Sequence, residues 1–101
     1  MTGEPHQATC VAIGGRGVLI EGAPGSGKSS LALALIDRGA VLVGDDGVLL
    51  DPRGDGLWAA PHPRIAGLLE LHNVGLLHYP CTVARLALVQ LRPQSRRRSR
   101  R

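Results

Sequence analysis

A glycine-rich segment near the N-terminus has the composition and spacing of a phosphate-binding loop. Residues 22–29 match the pattern G-x-x-x-x-G-K-[ST], between an apolar stretch and a run of strong helix formers. Glycines let backbone N–H groups turn inward around phosphate oxygens. A chance match in a chain of this length has a probability on the order of one per cent or less. The residues expected to bind nucleotide phosphates are Gly22, Ala23, Pro24, Gly25, Ser26, Gly27, Lys28, Ser29 and Ser30.

Lys28 supports this interpretation independently, because it is the only lysine in the chain and every other cationic side chain is arginine. A compact ammonium fits inside a ring of backbone amides better than a planar guanidinium does. We expect Lys28 to reach the β- and γ-phosphates of ATP, and the Ser29 hydroxyl to bind Mg²⁺.

Two adjacent carboxylates, Asp45 and Asp46, follow the next apolar strand, and Asp45 lies seventeen residues after Lys28. Ligands of open α/β sheets bind at the carboxyl ends of strands. One carboxylate could therefore act on a metal ion and the other could take a proton from an attacking hydroxyl. The alternative is a polar turn in which the aspartates only satisfy local N–H groups.

The local pattern predicts an α/β fold, in which a small β-rich sheet positions a phosphate-loop helix. The helix is expected to be buried against the sheet, because apolar residues nearly encircle it. Gly39 is expected to end it. Residues 64–71 fit either a short helix or a strand, and residues 14–17 are expected to form a turn. The predicted elements are strands at 9–13, 18–21 and 41–43, a helix at 29–38, a hairpin of 48–50 with 57–60, an extended segment at 75–77 and a last strand at 84–91.

The composition excludes several classes of protein. No apolar run approaches the ~18 residues of a membrane helix, and the N-terminus lacks a signal-peptide pattern, so a cytoplasmic location is expected. Two cysteines are too few for a disulfide scaffold. The net charge of +4 is misleading, since six of the twelve cations lie in residues 92–101 and the rest of the chain carries six cations and eight acids. With one Trp, one Tyr and no Phe, nucleic-acid binding is not expected.

Four segments together resemble the catalytic domain of the HPr kinase/phosphorylase family, most closely its short alphaproteobacterial members. The resemblance spans about residues 6–91, and the paired aspartates with the Glu70 segment make it specific. The segments are His6 with the apolar strand and residues 15–20 that follow, the phosphate loop at 22–29, the stretch 37–46 that ends in the two aspartates, and the stretch 69–76 around Glu70.

This resemblance implies a P-loop kinase fold similar to phosphoenolpyruvate carboxykinase. It implies an enzyme that transfers a phosphoryl group from ATP to a serine of the phosphocarrier protein HPr, with phosphorolysis as the reverse reaction, in the regulation of carbohydrate metabolism. It also implies a homo-oligomer. By the same resemblance Asp45 is the base toward the substrate serine, Ser29 and Glu70 hold Mg²⁺ with Asp46 nearby, and His6 lies close to the transferred phosphoryl group.

Other interpretations of these residues remain open. His6 lies near a terminus, where side chains are often disordered, and Glu70 could be the exposed residue of an amphipathic element. His62 and His78 are expected to be loop or surface residues. Two alternative functions are an ATP-binding relative without phosphoryl transfer and a small-molecule kinase of the P-loop type.

Two features depart from the family pattern. First, His72 and Asn73 stand where the family has Arg and Gly. Second, family members continue into a basic substrate-contacting loop and C-terminal helices, where this chain has an arginine-rich run. We therefore expect residues 1–91 to form a kinase-like domain that is incomplete at its C-terminus. Residues 92–101 are expected to form a basic, disordered tail.

Overall fold

The computed structural model describes residues 3–23, 25–71 and 74–93. These residues form nine strands and one helix. The elements, in chain order, are β1 (Glu4–His6), β2 (Thr9–Ile13), β3 (Arg16–Ile20), α1 (Lys28–Asp37), β4 (Val41–Gly44), β5 (Val48–Arg53), β6 (Gly56–Pro61), β7 (Leu68–Leu71), β8 (Gly75–His78) and β9 (Ala84–Leu91).

Seven of the strands form one sheet in the order β1-β5-β6-β9-β3-β2-β4, and β7 pairs with β8 in a separate hairpin. Neighbouring strands are antiparallel except for β3 and β9, which run parallel. The protein is therefore an α/β fold with a strand-rich sheet and, within the described residues, a single helix. No helix of these residues has the length and apolar character needed to cross a bilayer.

Both faces of the sheet carry apolar side chains, because successive residues of a strand point to opposite sides. On β2, Cys10 packs in one buried cluster with Val43, Val48 and Ala59. Val11 packs in a second cluster with Ile20, Ala32, Leu42 and Leu69. Helix α1 covers this second face, where it contacts β2, β4 and β7. Helix α1, which follows the predicted phosphate loop, thus packs on the strands that carry the candidate polar residues.

Most predicted elements are confirmed. The helix is displaced by one residue from the prediction and ends before Gly39, which has a φ of 106°, and the strands at 9–13 and 84–91 have the predicted bounds. Residues 64–71 form a turn followed by a strand. Residues 94–101, for which we predicted a disordered tail, lie outside the described residues.

One local prediction was wrong and one strand was missed. Residues 16 and 17 belong to β3, where they continue the ladder with β2 and do not form a turn. The helix packs against the sheet as predicted, although only Ala32 is fully buried. The three-residue strand β1 was missed because it has no apolar periodicity and forms by pairing with β5.

Candidate functional site

The predicted phosphate loop connects β3 to the N-terminus of α1. Gly25 and Gly27 have φ values of 80° and 100°, which non-glycine residues rarely adopt. The amide of Ser26 donates to the carbonyl oxygen of Ala23 at 3.0 Å. The Nζ atom of Lys28 donates to the carbonyl oxygen of Gly22 at 2.8 Å. The lysine is therefore held against the loop. Pro24, also predicted to bind phosphate, lies outside the described residues.

The first turn of α1 is suited to an anion. Its N-cap residue, Gly27, provides no side-chain hydrogen bond, and the turn contains no acidic side chain. The N–H groups of a first helical turn have no partner within the helix, and the helix dipole adds partial positive charge there. Lys28, Ser29 and Ser30 all line a cleft at this end of the helix.

Asp45 is the most constrained polar side chain of the site, with 7% of its surface exposed. Its Oδ1 atom accepts a hydrogen bond from Thr9 Oγ1 at 3.0 Å. The Ser29 hydroxyl donates to the same carboxylate, at 2.8 and 2.9 Å from its two oxygens. The amide of Glu70 donates to Oδ2 at 3.2 Å. One carboxylate thus links the end of β4 to β2, α1 and β7.

Asp46 differs sharply from its neighbour. It is exposed and has a φ of 67°, the only positive value among the described non-glycine residues. Asparagine and aspartate tolerate this conformation better than most residues. Its one side-chain partner in the described part of the chain is Gln7, whose Nε2 atom lies 3.5 Å from Oδ1. The turn therefore presents Asp46 to solvent while it buries Asp45.

The two carboxylates differ in how their oxygens are occupied. Both oxygens of Asp45 accept hydrogen bonds, from Ser29, Thr9 and the Glu70 amide. The Asp46 side chain is exposed and has Gln7 as its partner within the described residues. The difference arises because the chain bends immediately after Gly44, the last residue of β4.

Two clefts meet at Asp46. The larger, of about 700 Å³, is lined by the start of α1, Asp45, Asp46 and Glu70. The smaller, of about 380 Å³, is lined by His6, Gln7, His62, Arg64, Asp46 and Ile65. Asp46 and Ile65 line both. The structure thus brings the loop and three predicted carboxylates to the larger cleft, and it places His6 in the adjoining one.

Sequence reasoning missed four residues around the two aspartates. Thr9 and Gln7 contact Asp45 and Asp46 respectively, and His62 and Arg64 line the smaller cleft. The expectation that His62 is a loop or surface residue was incomplete, since it is half-buried. For Thr9 the one available signal was its hydroxyl at the first position of the otherwise apolar strand β2.

Most of this chain is similar to one protein family. The model described as the HPr serine kinase C-terminal domain matches residues 3–82. The chain belongs to this family. The matched region of this HPr kinase-like domain contains His6, the phosphate loop, both aspartates and Glu70.

Individual members of the family agree with this assignment. The HPr kinase/phosphorylase of Exiguobacterium sibiricum is 46% identical over 68 residues, which are 66% of this chain and 22% of that protein. The enzyme of the same name from Mycoplasma mycoides is 37% identical over 75 residues, which are 74% of this chain and 24% of that protein. The chain therefore spans between a fifth and a quarter of the length of these curated relatives.

A solved structure supports the fold. The HPr(Ser) kinase/phosphatase of Coxiella burnetii superimposes with a TM-score of 0.78 at 30% sequence identity, covering 88% of this chain and 58% of that one. This chain therefore shares its fold with a part of that structure.

Proposed function

We propose that this chain binds MgATP at the phosphate loop and transfers the γ-phosphoryl group to a serine hydroxyl of HPr. The observation that carries the proposal is the pair of adjacent aspartates with different surroundings. Asp45 is buried against Ser29, and Asp46 lies exposed at the junction of two clefts. Protein kinases use one carboxylate on the metal ion and another toward the substrate hydroxyl.

The phosphate loop and the first turn of α1 would hold the nucleotide. Backbone N–H groups of the loop and the uncapped helix N-terminus would bind the β-phosphate. The Lys28 ammonium lies 2.8 Å from the Gly22 carbonyl oxygen, and we infer that it exchanges this contact for phosphate oxygens. No other lysine exists to replace it.

Ser29, Asp45 and Glu70 are the residues that fit Mg²⁺. The Ser29 hydroxyl donates its proton to Asp45, which leaves the oxygen lone pairs available to a cation. Within the described residues no three His, Cys, Asp or Glu side chains form a metal-binding group. This donor set suits Mg²⁺, which keeps several waters and takes one or two carboxylates together with nucleotide phosphates. When bound, the ion neutralises charge on the phosphates.

We assign the base to Asp46 and not to Asp45, the residue that the family resemblance implies, because Asp46 is exposed where the two clefts meet, whereas three donors contact Asp45. As the serine oxygen forms its bond to the γ-phosphorus and the bond to the β-phosphate oxygen breaks, Asp46 would take the hydroxyl proton and ADP would leave. In the reverse direction the same carboxyl would return the proton to the serine oxygen. His6 lines the cleft on the far side of Asp46 from the loop, and we propose that it orients the incoming serine.

The family supports the remaining parts of the proposal. Relatives are named HPr kinase/phosphorylase, which favours a protein kinase over a small-molecule kinase and over a domain that only binds ATP. We also propose a P-loop kinase fold similar to phosphoenolpyruvate carboxykinase, a catalytic domain within residues 1–91, a homo-oligomer, and a cytoplasmic location in which HPr and ATP are available.

The test is transfer of label from [γ-³²P]ATP to purified HPr. We expect labelling of HPr that requires Mg²⁺ and stops on addition of EDTA, with no labelling of an HPr variant in which the acceptor serine is alanine. Phosphorolysis is checked separately by incubating serine-phosphorylated HPr with inorganic phosphate, which should yield unmodified HPr and pyrophosphate. ATP binding without labelling of HPr would refute the proposed transfer.

A further inference from the structure

The smaller cleft carries a cationic side chain that the proposed transfer reaction does not use. Arg64 lies in the turn that follows β6. It lines the smaller cleft and does not line the larger one. Arg64 is exposed. It forms no salt bridge within residues 3–23, 25–71 and 74–93, although Arg53 and Arg85 each pair with an aspartate. A guanidinium in a cleft without a carboxylate partner is available to an anion from outside.

His62 provides a second donor beside it. Its Nδ1 atom accepts a hydrogen bond from the Arg64 amide at 3.3 Å, so the proton of the neutral ring lies on Nε2. The amide of Ile65 donates to the His62 carbonyl oxygen at 3.0 Å, which closes the turn. The backbone thus fixes the orientation of His62 and places it two residues from Arg64. The turn therefore presents two donors to one cleft.

The position of these donors indicates which anion they would meet. The smaller cleft joins the larger one at Asp46, so a serine that loses its proton to Asp46 must approach from the His6 side. Transfer converts that neutral side chain into a phosphate ester carrying a charge of about −2 at neutral pH. The new charge would then lie beside Asp46, which repels it, and beside Arg64 and His62, which attract it.

We propose, on the basis of the proposed function, that Arg64 and His62 form a binding site for the phosphate of serine-phosphorylated HPr. The volume of about 380 Å³ lies in the range of small-ligand pockets, roughly 300–1,000 Å³. A guanidinium can bind two oxygens of one phosphate at once. The site holds the phosphorylated serine as the product of transfer and as the substrate of the reverse reaction, and inorganic phosphate has the same chemistry.

The experiment measures binding of HPr and of serine-phosphorylated HPr to the full chain by calorimetry, without nucleotide. We expect the wild type to bind the phosphorylated form more tightly. Arg64→Gln should weaken that binding by about 10- to 100-fold, the usual effect of losing charge-assisted hydrogen bonds. Arg64→Lys, which keeps the charge but not the planar fork, should recover part of the loss. Arg38→Gln is the matched control, because Arg38 is an exposed arginine at the other end of α1.

The outcomes separate this inference from the proposed function. Unchanged binding of phosphorylated HPr by Arg64→Gln would overturn the inference, and so would an equal loss for both forms of HPr, which would indicate recognition of the protein rather than of the phosphate. Inorganic phosphate that binds with the same dependence on Arg64 would support the site and identify the free anion as an occupant. Failure of the proposed function would appear separately, as absence of MgATP binding or of HPr labelling by the wild type.

Discussion

Asp45→Asn and Asp46→Asn should impair different properties although the two residues are adjacent: Asp45→Asn stability, and Asp46→Asn phosphoryl transfer. Asp45 accepts hydrogen bonds from Ser29, Thr9 and the Glu70 amide, and it is 7% exposed. Asparagine keeps one acceptor oxygen and turns an N–H₂ group toward a donor, so at least one hydrogen bond to a charged group is lost. Such a bond contributes about 1.5–3 kcal/mol. Removal of a buried charge offsets part of this loss, and we expect the free energy of unfolding to fall by about 1–3 kcal/mol.

Asp46→Asn should leave stability nearly unchanged. The residue is exposed, its one contact is 3.5 Å long, and asparagine tolerates its φ of 67°. Surface changes of this kind alter stability by about 0.5 kcal/mol or less. Phosphoryl transfer should nevertheless fall on the order of 10²–10⁴-fold, the usual contribution of a positioned base.

Two measurements on each variant test this contrast. For a domain of this size, 1 kcal/mol corresponds to a shift in Tm of roughly 4–8 °C, so Asp45→Asn should lower Tm by roughly 5–20 °C and Asp46→Asn by a few degrees at most. Labelling of HPr and MgATP affinity are then measured well below both values of Tm. Asp45→Asn should weaken Mg²⁺-dependent ATP binding, whereas Asp46→Asn should preserve it. Equal losses of Tm, or a stable Asp45→Asn that binds MgATP normally, would refute the division of roles.

Three further predictions concern the loop, the bend and the core. Lys28→Ala should reduce ATP affinity at least tenfold in calorimetry, because the only ammonium is removed; unchanged affinity would contradict the phosphate-loop assignment. Gly44→Ala should lower both Tm and the rate of transfer, since a Cβ there would lie 2.5 Å from the Gly47 carbonyl oxygen. Gly54→Ala is the control: its surroundings are open, and it should lower the free energy of unfolding by about 1 kcal/mol. Burial raises the pKa of the Cys10 thiol to about 12, while an unfolded chain loses that proton near pH 9. The folded state therefore binds more protons between these values, and stability should fall as pH rises from about 9 to 12. Cys10→Ala should flatten this decline in thermal unfolding measured against pH, and an unaltered slope would show that other groups cause it.

The sequence predicted the glycine-rich loop before α1 and the helix itself well, because both depend on local chemistry. Gly25 and Gly27 occupy positions with positive φ, where glycine is needed, and Gly39 follows the helix in the conformation that ends it. The hairpin of β5 and β6 is likewise local, since its turn residues lie between two apolar runs. Such features can be predicted from the sequence because the conformational preference of each residue agrees with the final fold.

The orientation of the two aspartates could not be predicted from local sequence preferences. On β4, Leu42 packs on the face covered by α1 and Val43 packs on the opposite face. Continued alternation would place Asp46 on the helix side and Asp45 on the other. The strand ends at Gly44, and the following bend brings Asp45 to Ser29 instead. The alternation of side chains predicts which face of the sheet a residue occupies only within a strand. Asp45 and Asp46 lie just beyond the end of β4, so alternation does not predict their orientation.

The surroundings of Asp45 explain why stability and substrate binding are joined in this fold. Within the described part of the chain no Lys, Arg or His forms a salt bridge with Asp45, so its buried carboxylate is compensated only by hydroxyl and amide donors. Burial of a charge without a counterion is unfavourable. The lack of a cationic side chain beside Asp45 therefore favours the binding of a cation at this position. Because the donors come from β2, α1 and β7, the carboxylate that would attract the metal also sets the distance between the phosphate loop and the strand that carries Glu70. The residue that a bound cation would neutralise is therefore also the residue that links β2, α1 and β7.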